Sequence, residues 1–250
     1  MPRKIQFFGD SHARYLHLTS ELQARIGLTP PGVEVAGKVV RAGSVMGFRR
    51  GKTTLRTRSM IKKFLPQTDL LVLGFGQVDL ELGYYYRRVI KGEDISGDEF
   101  LDTLVGIYRE FVESFNFPAE RLALKGVNLT VLAEPEFSYE YIKRIVFEAK
   151  PENPEEKAAK LRTEILDETR QNDLHMSFNQ AIKSMIEERG GHYFDINDAI
   201  AERDNDGGLV RPLRLDRRFM PSENDHHICD SLYIRKLHHL SMLEAFDLSA

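Results

Sequence analysis

The stretch KIQFFGDSH, residues 4–12, decides the fold class of this chain. It opens with the apolar run Lys4 to Phe8, which Gly9 closes, and it leads through Asp10 and Ser11 into a segment of helical pattern. A short apolar run that ends at a glycine and precedes a helix is typical of a buried strand. Ser11 therefore stands at a turn from strand to helix, where a serine can act as a nucleophile.

Further apolar runs predict the remaining strands. The predicted strands are Lys4 to Phe8, Val33 to Val40, Leu70 to Gly74, Val127 to Ala133 and His192 to Ile196. Helical patterns separate these runs, and such alternation indicates an α/β fold with a mostly parallel sheet covered on both faces. In such folds functional residues lie at the carboxyl ends of the strands. Ser11 and the segment that follows Gly74 both occupy such positions.

Apolar residues at three-to-four spacing predict helices between the strands. The predicted helices are Arg14 to Ile26, Thr53 to Phe64, Phe100 to Phe115, Pro154 to Arg189 and Cys229 to Phe246. Three segments lack such a pattern and are predicted to be irregular: Val78 to Gly97, Glu148 to Glu156 and Asp204 to Asn224. The first and last of these are expected to wall the functional site.

Composition limits the class of protein. A chain of 250 residues with 42% hydrophobic residues can bury one sizeable core, so we expect a single domain over residues 1–250. Its net charge of −3 gives no general attraction to nucleic acid, and we expect no such partner. The single Cys229 suits a reducing compartment. The first strand leaves no room for a signal peptide, and no apolar run approaches the ~18 residues of a membrane span. We therefore expect a cytoplasmic protein without a membrane partner.

Four separated pieces of sequence carry the functional signal: Phe8-Gly9-Asp10-Ser11-His12, Ala42-Gly43-Ser44, Gly74-Phe75-Gly76-Gln77-Val78-Asp79 and Asp225-His226-His227. Together they resemble the four blocks of the SGNH, or GDSL-type, hydrolase family, and they span most of the chain. The resemblance implies a flavodoxin-like three-layer α/β/α sandwich around a mostly parallel five-stranded sheet. It also implies a serine hydrolase with a nucleophilic serine, a catalytic histidine and an oxyanion hole.

The resemblance assigns a role to each block. Ser11 is the nucleophile, and its own amide forms the oxyanion hole with the amide of Gly43. A serine hydroxyl is a poor nucleophile at neutral pH, so a base must accept its proton during attack. His227 is the favoured base because Ile228 follows it as in the family pattern, and His226 is its rival. Preorganised amide donors are worth roughly 3 to 4 kcal/mol each to the tetrahedral intermediate.

The third block departs from the usual family pattern. Aligning Gly76 and Asp79 puts Val78 where the family has an asparagine. This resembles a variant with a Gly-Glu-Ile-Asp type block, found in members linked to surface-polysaccharide assembly. Gln77 stands in place of the glutamate of that variant, and we predict that it donates a hydrogen bond to the oxyanion instead.

The last block departs as well. The family places an aspartate three residues before the histidine, a position that Asn224 holds here. Asp225 lies two residues before His227, so the orienting group is Asp225 or a backbone carbonyl. Asp10 is expected to hold its turn rather than to act as acid or base. The residues expected to support the site are Asp10, Gly76, Asp79 and His226.

A basic run follows the second block and consists of Arg49, Arg50, Lys52, Arg56, Arg58, Lys62 and Lys63. Such a run is usually a solvated helix face, but its position suits an anionic partner such as acidic glycan or a phosphate-bearing donor. No resident cofactor is predicted, and acetyl-coenzyme A would serve only as the acyl donor of a transferase. The run Tyr84 to Arg87 is either a contact surface for a sugar or acyl donor, or a buried strand end.

Histidines and acids also crowd the end of the chain: Asp225, His226, His227, His238 and His239. Their spacing does not match a two-histidine helical zinc motif, so no metal is predicted.

The sequence therefore predicts a serine-dependent acyl-ester hydrolase or O-acyltransferase that works through an acyl-serine intermediate. Its expected substrate is a small-molecule or glycan ester, linked to a carbohydrate or polysaccharide. The alternative is a non-catalytic glycan- or partner-binding domain that keeps the fold, which Val78 and Asn224 would permit. Composition and motifs leave the oligomeric state open.

Overall fold

Five parallel strands form one sheet in the computed structural model, which describes residues 3–19, 22, 27, 29–51, 55–222 and 225–248. The strands are β1 (Arg3–Gly9), β2 (Val33–Val39), β3 (Leu70–Gly74), β4 (Leu122–Lys125) and β5 (His192–Phe194). Their order is β2-β1-β3-β4-β5, and every neighbouring pair is parallel. This is the flavodoxin-like doubly wound order. The predicted fold class is confirmed.

Helices cover both faces of the sheet. They are α1 (Thr57–Phe64), α2 (Gly97–Glu113), α3 (Pro135–Val146), α4 (Pro154–Glu164), α5 (Glu168–Glu187), α6 (Asn197–Ile200) and α7 (Leu232–Ala245). Side chains of a strand alternate between its two faces. In β3, Leu71 and Leu73 therefore join the core formed with α2 and α5, whereas Leu70 and Val72 join the core formed with α7. The result is a three-layer α/β/α sandwich.

The carboxyl ends of β1 and β3 lie side by side, with Gly9 paired to Gly74. The Asp10 amide donates a hydrogen bond to the Gly74 carbonyl at 3.0 Å, and this bond extends the pairing by one residue. A Cβ at Gly9 would lie 2.2 Å from the Ala13 Cβ and 2.5 Å from the Gly74 oxygen, so only glycine fits this approach. The fold thereby sets the turn that carries Ser11 against the segment that follows β3.

The fourth strand lies earlier in the chain than predicted. It occupies Leu122–Lys125, whereas residues 127–133, predicted as a strand, are irregular. Their backbone amides donate to side chains instead of to a neighbouring strand. The acceptors are Asn179 for Val127 at 2.7 Å, Gln77 for Asn128 at 2.9 Å, Asn197 for Leu129 at 2.9 Å and Asn172 for Thr130 at 2.8 Å. Because the segment is buried, its composition resembles that of a strand.

Two further predictions are corrected. The segment Val78 to Gly97, predicted to be irregular, contains two π-helical stretches, Asp79–Gly83 and Tyr86–Ile90. The single helix predicted over Pro154 to Arg189 is divided into α4 and α5, because Asp167 caps the start of α5 by accepting from the Arg170 amide at 2.8 Å.

The helix predicted over Arg14 to Ile26 is described only in part. Ser11–Leu16 forms a 3-10 helix, and residues 20, 21 and 23–26 of the prediction lie outside the described residues. Across the described ranges, no helix combines the length and the apolar character that a membrane crossing needs.

Candidate active site

Ser11 is the first residue of the 3-10 helix that follows β1. Asp10 caps this helix, because its buried Oδ1 accepts a hydrogen bond from the His12 amide at 2.9 Å. Burial raises the pKa of Asp10 to about 6. The Ser11 amide, at the start of the helix, donates to no backbone carbonyl among the described residues. Asp10 thus holds the turn, and Ser11 offers both a hydroxyl and an amide at the same point.

Ser11 and His227, from opposite ends of the chain, line one cavity of ≈ 1250 Å³, and their side chains make no hydrogen bond to each other. Ala42, next to Gly43 of the second block, and Tyr141 of α3 also line it. The basic side chains on its wall are those of Arg14, Lys38, Arg41 and Arg235. The first, second and last sequence blocks therefore meet at one opening.

His227 is held by the aspartate that the sequence left uncertain. Its Nδ1 lies 2.7 Å from Oδ1 of Asp225, and Arg14 lies 3.8 Å from the other oxygen of that carboxylate. Since a carboxylate only accepts, Nδ1 carries the proton and Nε2 carries the lone pair. This Nε2 is buried and has no hydrogen-bond partner among the described residues. An oriented imidazole with a free Nε2 is the arrangement of a general base.

Burial keeps His227 in its basic form. It is the main reason that the pKa of His227 falls to about 4, and the nearby His226 adds to the effect, while the hydrogen bond to Asp225 opposes it. Partial burial raises the pKa of Asp225, but the hydrogen bond from His227 and the further interactions with His227 and His226 together outweigh burial and bring the pKa below its ordinary value. At neutral pH the pair is therefore a neutral imidazole on a carboxylate.

This environment predicts an unusual pH profile. Because kcat/KM reports the base of the free enzyme, we expect it to stay level from neutral pH down to about pH 5. It should then fall roughly tenfold per pH unit below about pH 4, as His227 becomes protonated. The measurement is kcat/KM for an aryl ester between pH 3.5 and 8, on samples shown to be folded by circular dichroism at each pH. A limb centred near the ordinary histidine pKa of about 6.5 would contradict the assignment.

The two other predicted oxyanion donors are engaged elsewhere. The Gly43 amide donates to the Val40 carbonyl at 2.8 Å. The amide nitrogen of the buried Gln77 donates to Glu81 at 3.1 Å and to the Asn128 carbonyl at 3.4 Å. These bonds use both N–H groups of Gln77, so the structure places it in a buried network instead of at the oxyanion. The amide of Ser11 is the predicted donor that lacks such a bond within the described residues.

Gly76 and Asp79 hold the crevice together. Gly76 has a φ of 130°, and a Cβ there would lie 2.5 Å from the Phe178 ring. Asp79 accepts from the Val45 amide at 2.7 Å and from the Met46 amide at 3.3 Å, which ties the third block to the second. Burial raises the pKa of Asp79 to about 7. Both residues therefore have supporting roles in shaping the site.

Sequence reasoning missed Glu81, which is 0% exposed. One carboxylate oxygen lies 2.9 Å from Nδ1 of His226, and the other accepts from Gln77 and, at 3.0 Å, from the Thr130 hydroxyl. Burial raises its pKa, but the interactions with His226, His175 and Gln77 together outweigh burial, so the pKa lies below the ordinary value. Gln77 and Glu81 are four residues apart, a spacing that brings side chains together only on a helix, and this segment is predicted to be irregular. His226 therefore has its own carboxylate partner.

We expect Glu81→Ala to lower the free energy of unfolding by about 2 to 3 kcal/mol, because His226 Nδ1, Gln77 and Thr130 would lose a buried acceptor. Glu81→Gln keeps the shape of the side chain and one acceptor oxygen, so it should lower the free energy of unfolding less than Glu81→Ala does. Urea unfolding of both variants measures the difference. Equal stability of wild type and Glu81→Ala would show that this network contributes little.

His12 was also missed as a member of the site. Its ring stacks on that of His227 with centroids 4.2 Å apart and meets the edge of His226 at 4.5 Å. It is 2% exposed, and neither ring nitrogen has a hydrogen-bond partner within the described ranges. The spacing argument considered only histidines near the chain end, whereas the fold adds this one from the first block.

The basic run is divided between structural and surface positions. Arg58 donates to the Phe48 carbonyl and Lys62 to the Ser114 carbonyl, so both stabilise the packing of α1. Lys52 lies outside the described residues. Arg49 lines a second cavity of ≈ 660 Å³, next to the first, together with Val78, Tyr86, Arg87 and Lys91. The run therefore contributes one side chain to a pocket. Tyr84 and Tyr85 are buried within a helical segment rather than at a strand end.

No family model and no curated protein matches this sequence. Solved structures do share its fold. A catalytic mutant of Axe2, an acetylxylan esterase from Geobacillus stearothermophilus, is 13% identical with a TM-score of 0.52, over 98% of this chain and 94% of that one. Another Axe2 mutant, described as an acetyl-xylooligosaccharide esterase, is 12% identical with a TM-score of 0.51 over the same shares.

A gut microbial diltiazem-metabolizing enzyme is 12% identical with a TM-score of 0.50 over 80% of this chain. The match covers only 38% of that enzyme, so this chain corresponds to less than half of its length. At these identities the likeness establishes the fold. The three-layer α/β/α architecture that the sequence resemblance implied is confirmed.

Proposed function

We propose that this protein is a serine-dependent acyl-ester hydrolase. The observation that carries the proposal is the pairing of His227 with Asp225 at 2.7 Å, in a cavity that Ser11 also lines, with Nε2 of His227 left without a hydrogen-bond partner among the described residues. A nucleophile, a base and an orienting carboxylate are the parts that acyl transfer through serine requires. The fold shared with an acetylxylan esterase is consistent with this chemistry.

The reaction begins when Nε2 of His227 takes the proton of the Ser11 hydroxyl as Oγ bonds to the ester carbon. The π-electron pair of the ester C=O bond moves onto its oxygen, and the Ser11 amide donates a hydrogen bond to the resulting oxyanion. As the tetrahedral intermediate collapses, the bond to the leaving alcohol breaks, and that oxygen takes the proton from His227. Water then attacks the acyl-Ser11 by the same route, releasing the acid and restoring the serine. Asp225 stabilises the imidazolium in both halves.

For the substrate we propose an acetylated carbohydrate or a related glycan ester. The cavity wall supports this choice, because its cationic side chains, from Arg14, Lys38, Arg41 and Arg235, suit hydroxyl-rich or acidic groups. The variant third block points in the same direction through the family members that it resembles. We place the cleaved ester beside Ser11 and the sugar along the basic wall.

The test is a panel of acetylated sugars and an aryl acetate, each with and without acetyl-coenzyme A. We expect acetate release without coenzyme A, far above the rate of Ser11→Ala. Acetyl transfer to a sugar hydroxyl that requires acetyl-coenzyme A would identify an O-acyltransferase that uses the same serine. Turnover equal to that of Ser11→Ala in every mixture would contradict both activities.

The engaged amides of Gly43 and Gln77 favour a second candidate, a glycan-binding domain without activity. That candidate predicts saturable binding of an acetylated glycan, measured by calorimetry, with no acetate release and no reaction of Ser11 with a fluorophosphonate. The proposed hydrolase predicts that acetate is released and that Ser11 reacts with the fluorophosphonate.

A further inference from the structure

Three buried imidazoles from opposite ends of the chain meet beside the proposed active site. The ring centroids of His12, His226 and His227 are 4.2 to 4.5 Å apart. One ring nitrogen of each lies within 4.8 Å of those of the other two. Their side chains belong to residues that are 2%, 4% and 8% exposed, respectively. The fold thus concentrates nitrogen donors in a space that solvent barely reaches.

Several of these nitrogens lack a protein partner. Both ring nitrogens of His12 and Nε2 of His227 are buried without a hydrogen bond to any described residue. A buried polar atom left unpaired costs about 1 to 3 kcal/mol, and three such atoms in one cluster require an explanation. A ligand that accepts electron pairs from imidazole would satisfy His227 and one nitrogen of His12.

The surroundings orient the other two imidazoles for such a ligand. Glu81 lies 2.9 Å from Nδ1 of His226, and Asp225 lies 2.7 Å from Nδ1 of His227. Each carboxylate accepts the Nδ1 proton and leaves the lone pair on Nε2. A carboxylate behind a histidine is the usual outer partner of a metal-binding imidazole, because it fixes the tautomer and strengthens the donor. Two carboxylates would also balance the charge of a divalent cation.

We propose that His12, His226 and His227 bind one divalent transition-metal ion of the zinc type. An all-imidazole donor set suits zinc, copper and nickel rather than magnesium or calcium. Zinc–nitrogen bonds of about 2.0 to 2.1 Å put tetrahedral ligands about 3.3 Å apart, so binding draws nitrogens that lie within 4.8 Å of one another together by at most about 1.5 Å. Three histidines leave a fourth position for water, which the cavity beside His227 can supply.

The site has a consequence that rests on the proposed function. In the proposed reaction, Nε2 of His227 uses its lone pair to take the Ser11 proton. His227 would use the same lone pair to bind the metal. A nitrogen bound to zinc has no lone pair left for a proton. Metal binding and serine attack therefore exclude one another, and the ion acts as a reversible inhibitor.

The metal site is tested with Co²⁺ as the probe and Zn²⁺ as its competitor. Titration of the metal-free protein should give the intense visible bands of a low-coordinate Co²⁺ site, saturating at one equivalent and abolished by Zn²⁺. His12→Ala and His226→Ala should each weaken binding at least about 100-fold, and Glu81→Gln about 10- to 100-fold. His192→Ala is the matched control, because its imidazole lies at the start of β5 and contacts the Glu120 carbonyl. It should bind as the wild type does.

Folding of each variant is checked by circular dichroism. Nitrogen NMR of the wild-type imidazoles gives a reading that needs no variant, since Zn²⁺ should shift three histidines and leave His192 unchanged. The proposed site would be overturned if Co²⁺ gave only the weak visible bands of octahedral coordination, or if His12→Ala bound Co²⁺ as tightly as the wild type.

Inhibition is tested by fluorophosphonate labelling of Ser11, each variant being compared with itself without zinc. Zinc should slow labelling of the wild type at least tenfold and leave the rate of His12→Ala nearly unaffected. Labelling that proceeds equally fast in zinc-saturated wild type would overturn the inhibitory role. A protein that fails to label without metal would refute the proposed hydrolase, whereas the cobalt titration would still decide the metal site.

Discussion

Ser11→Ala is expected to lower kcat/KM for ester hydrolysis by at least about 10³-fold, because Ser11 is the only serine or threonine among the described residues that line its cavity. The residual rate should reflect substrate binding and the backbone amide alone. Ser11 is only partly buried, so removing its hydroxyl leaves no cavity in the core. The free energy of unfolding should therefore stay within about 0.5 kcal/mol of the wild type.

Ser114→Ala is the matched control for this loss. Ser114 lies at the end of α2, where its hydroxyl donates to the Phe111 carbonyl at 2.6 Å, and it lines neither of the two cavities described above. Its activity should equal that of the wild type. More than a tenth of wild-type kcat/KM in a folded Ser11→Ala protein would rule out Ser11 as the nucleophile.

His227→Ala is expected to reduce kcat/KM by about 10³- to 10⁴-fold, since the base and the acid of both half-reactions are then missing. Residues that act as a unit are not additive, so the double variant Ser11→Ala/His227→Ala should be no slower than the slower single variant. Steady-state kinetics of the three proteins measure this. A double variant slower by the product of both effects would show that the two residues act independently.

His226→Ala separates the two neighbouring histidines. The imidazole of His226 is hydrogen-bonded to Glu81 rather than to Asp225. Removing this imidazole should therefore lower the free energy of unfolding more than it lowers the rate of ester hydrolysis. After correction for the folded fraction, we expect His226→Ala to lose far less activity than His227→Ala. The reverse order would move the role of base to His226, with Glu81 as its orienting acid.

The sequence pattern predicted the sheet well where strands are continuous in sequence and space. β1, β2, β3 and β5 lie within a few residues of their predicted positions. The predicted position of β4 was wrong because residues 127–133 are as apolar and as buried as a strand. Apolar composition indicates burial, but it does not indicate which groups the backbone hydrogen-bonds to. The partners are Gln77, Asn172, Asn179 and Asn197, which are 42 to 68 positions away in the chain. Only the folded chain reveals them.

The site was predictable to the extent that it consists of local motifs. The block around Ser11 and the pair Asp225 and His227 are short patterns with a known chemical logic. Glu81 and His226 are 145 positions apart, and no local spacing connects them. His12 was visible as the neighbour of Ser11, but its contact with the other two imidazoles arises only when β1 and the end of the chain meet. The hydrogen bonds from Gln77 to Glu81 and to the Asn128 carbonyl likewise form only in the folded chain.

Covalent labelling tests the central claim most directly. A fluorophosphonate should form one adduct with the wild-type protein, and mass spectrometry after trypsin should locate it on the peptide of residues 5–14, whose single serine is Ser11. The adduct should be missing from Ser11→Ala and form far more slowly with His227→Ala. A folded wild-type protein that gains no adduct, or gains it on another peptide, would contradict the proposal that this protein attacks esters through Ser11.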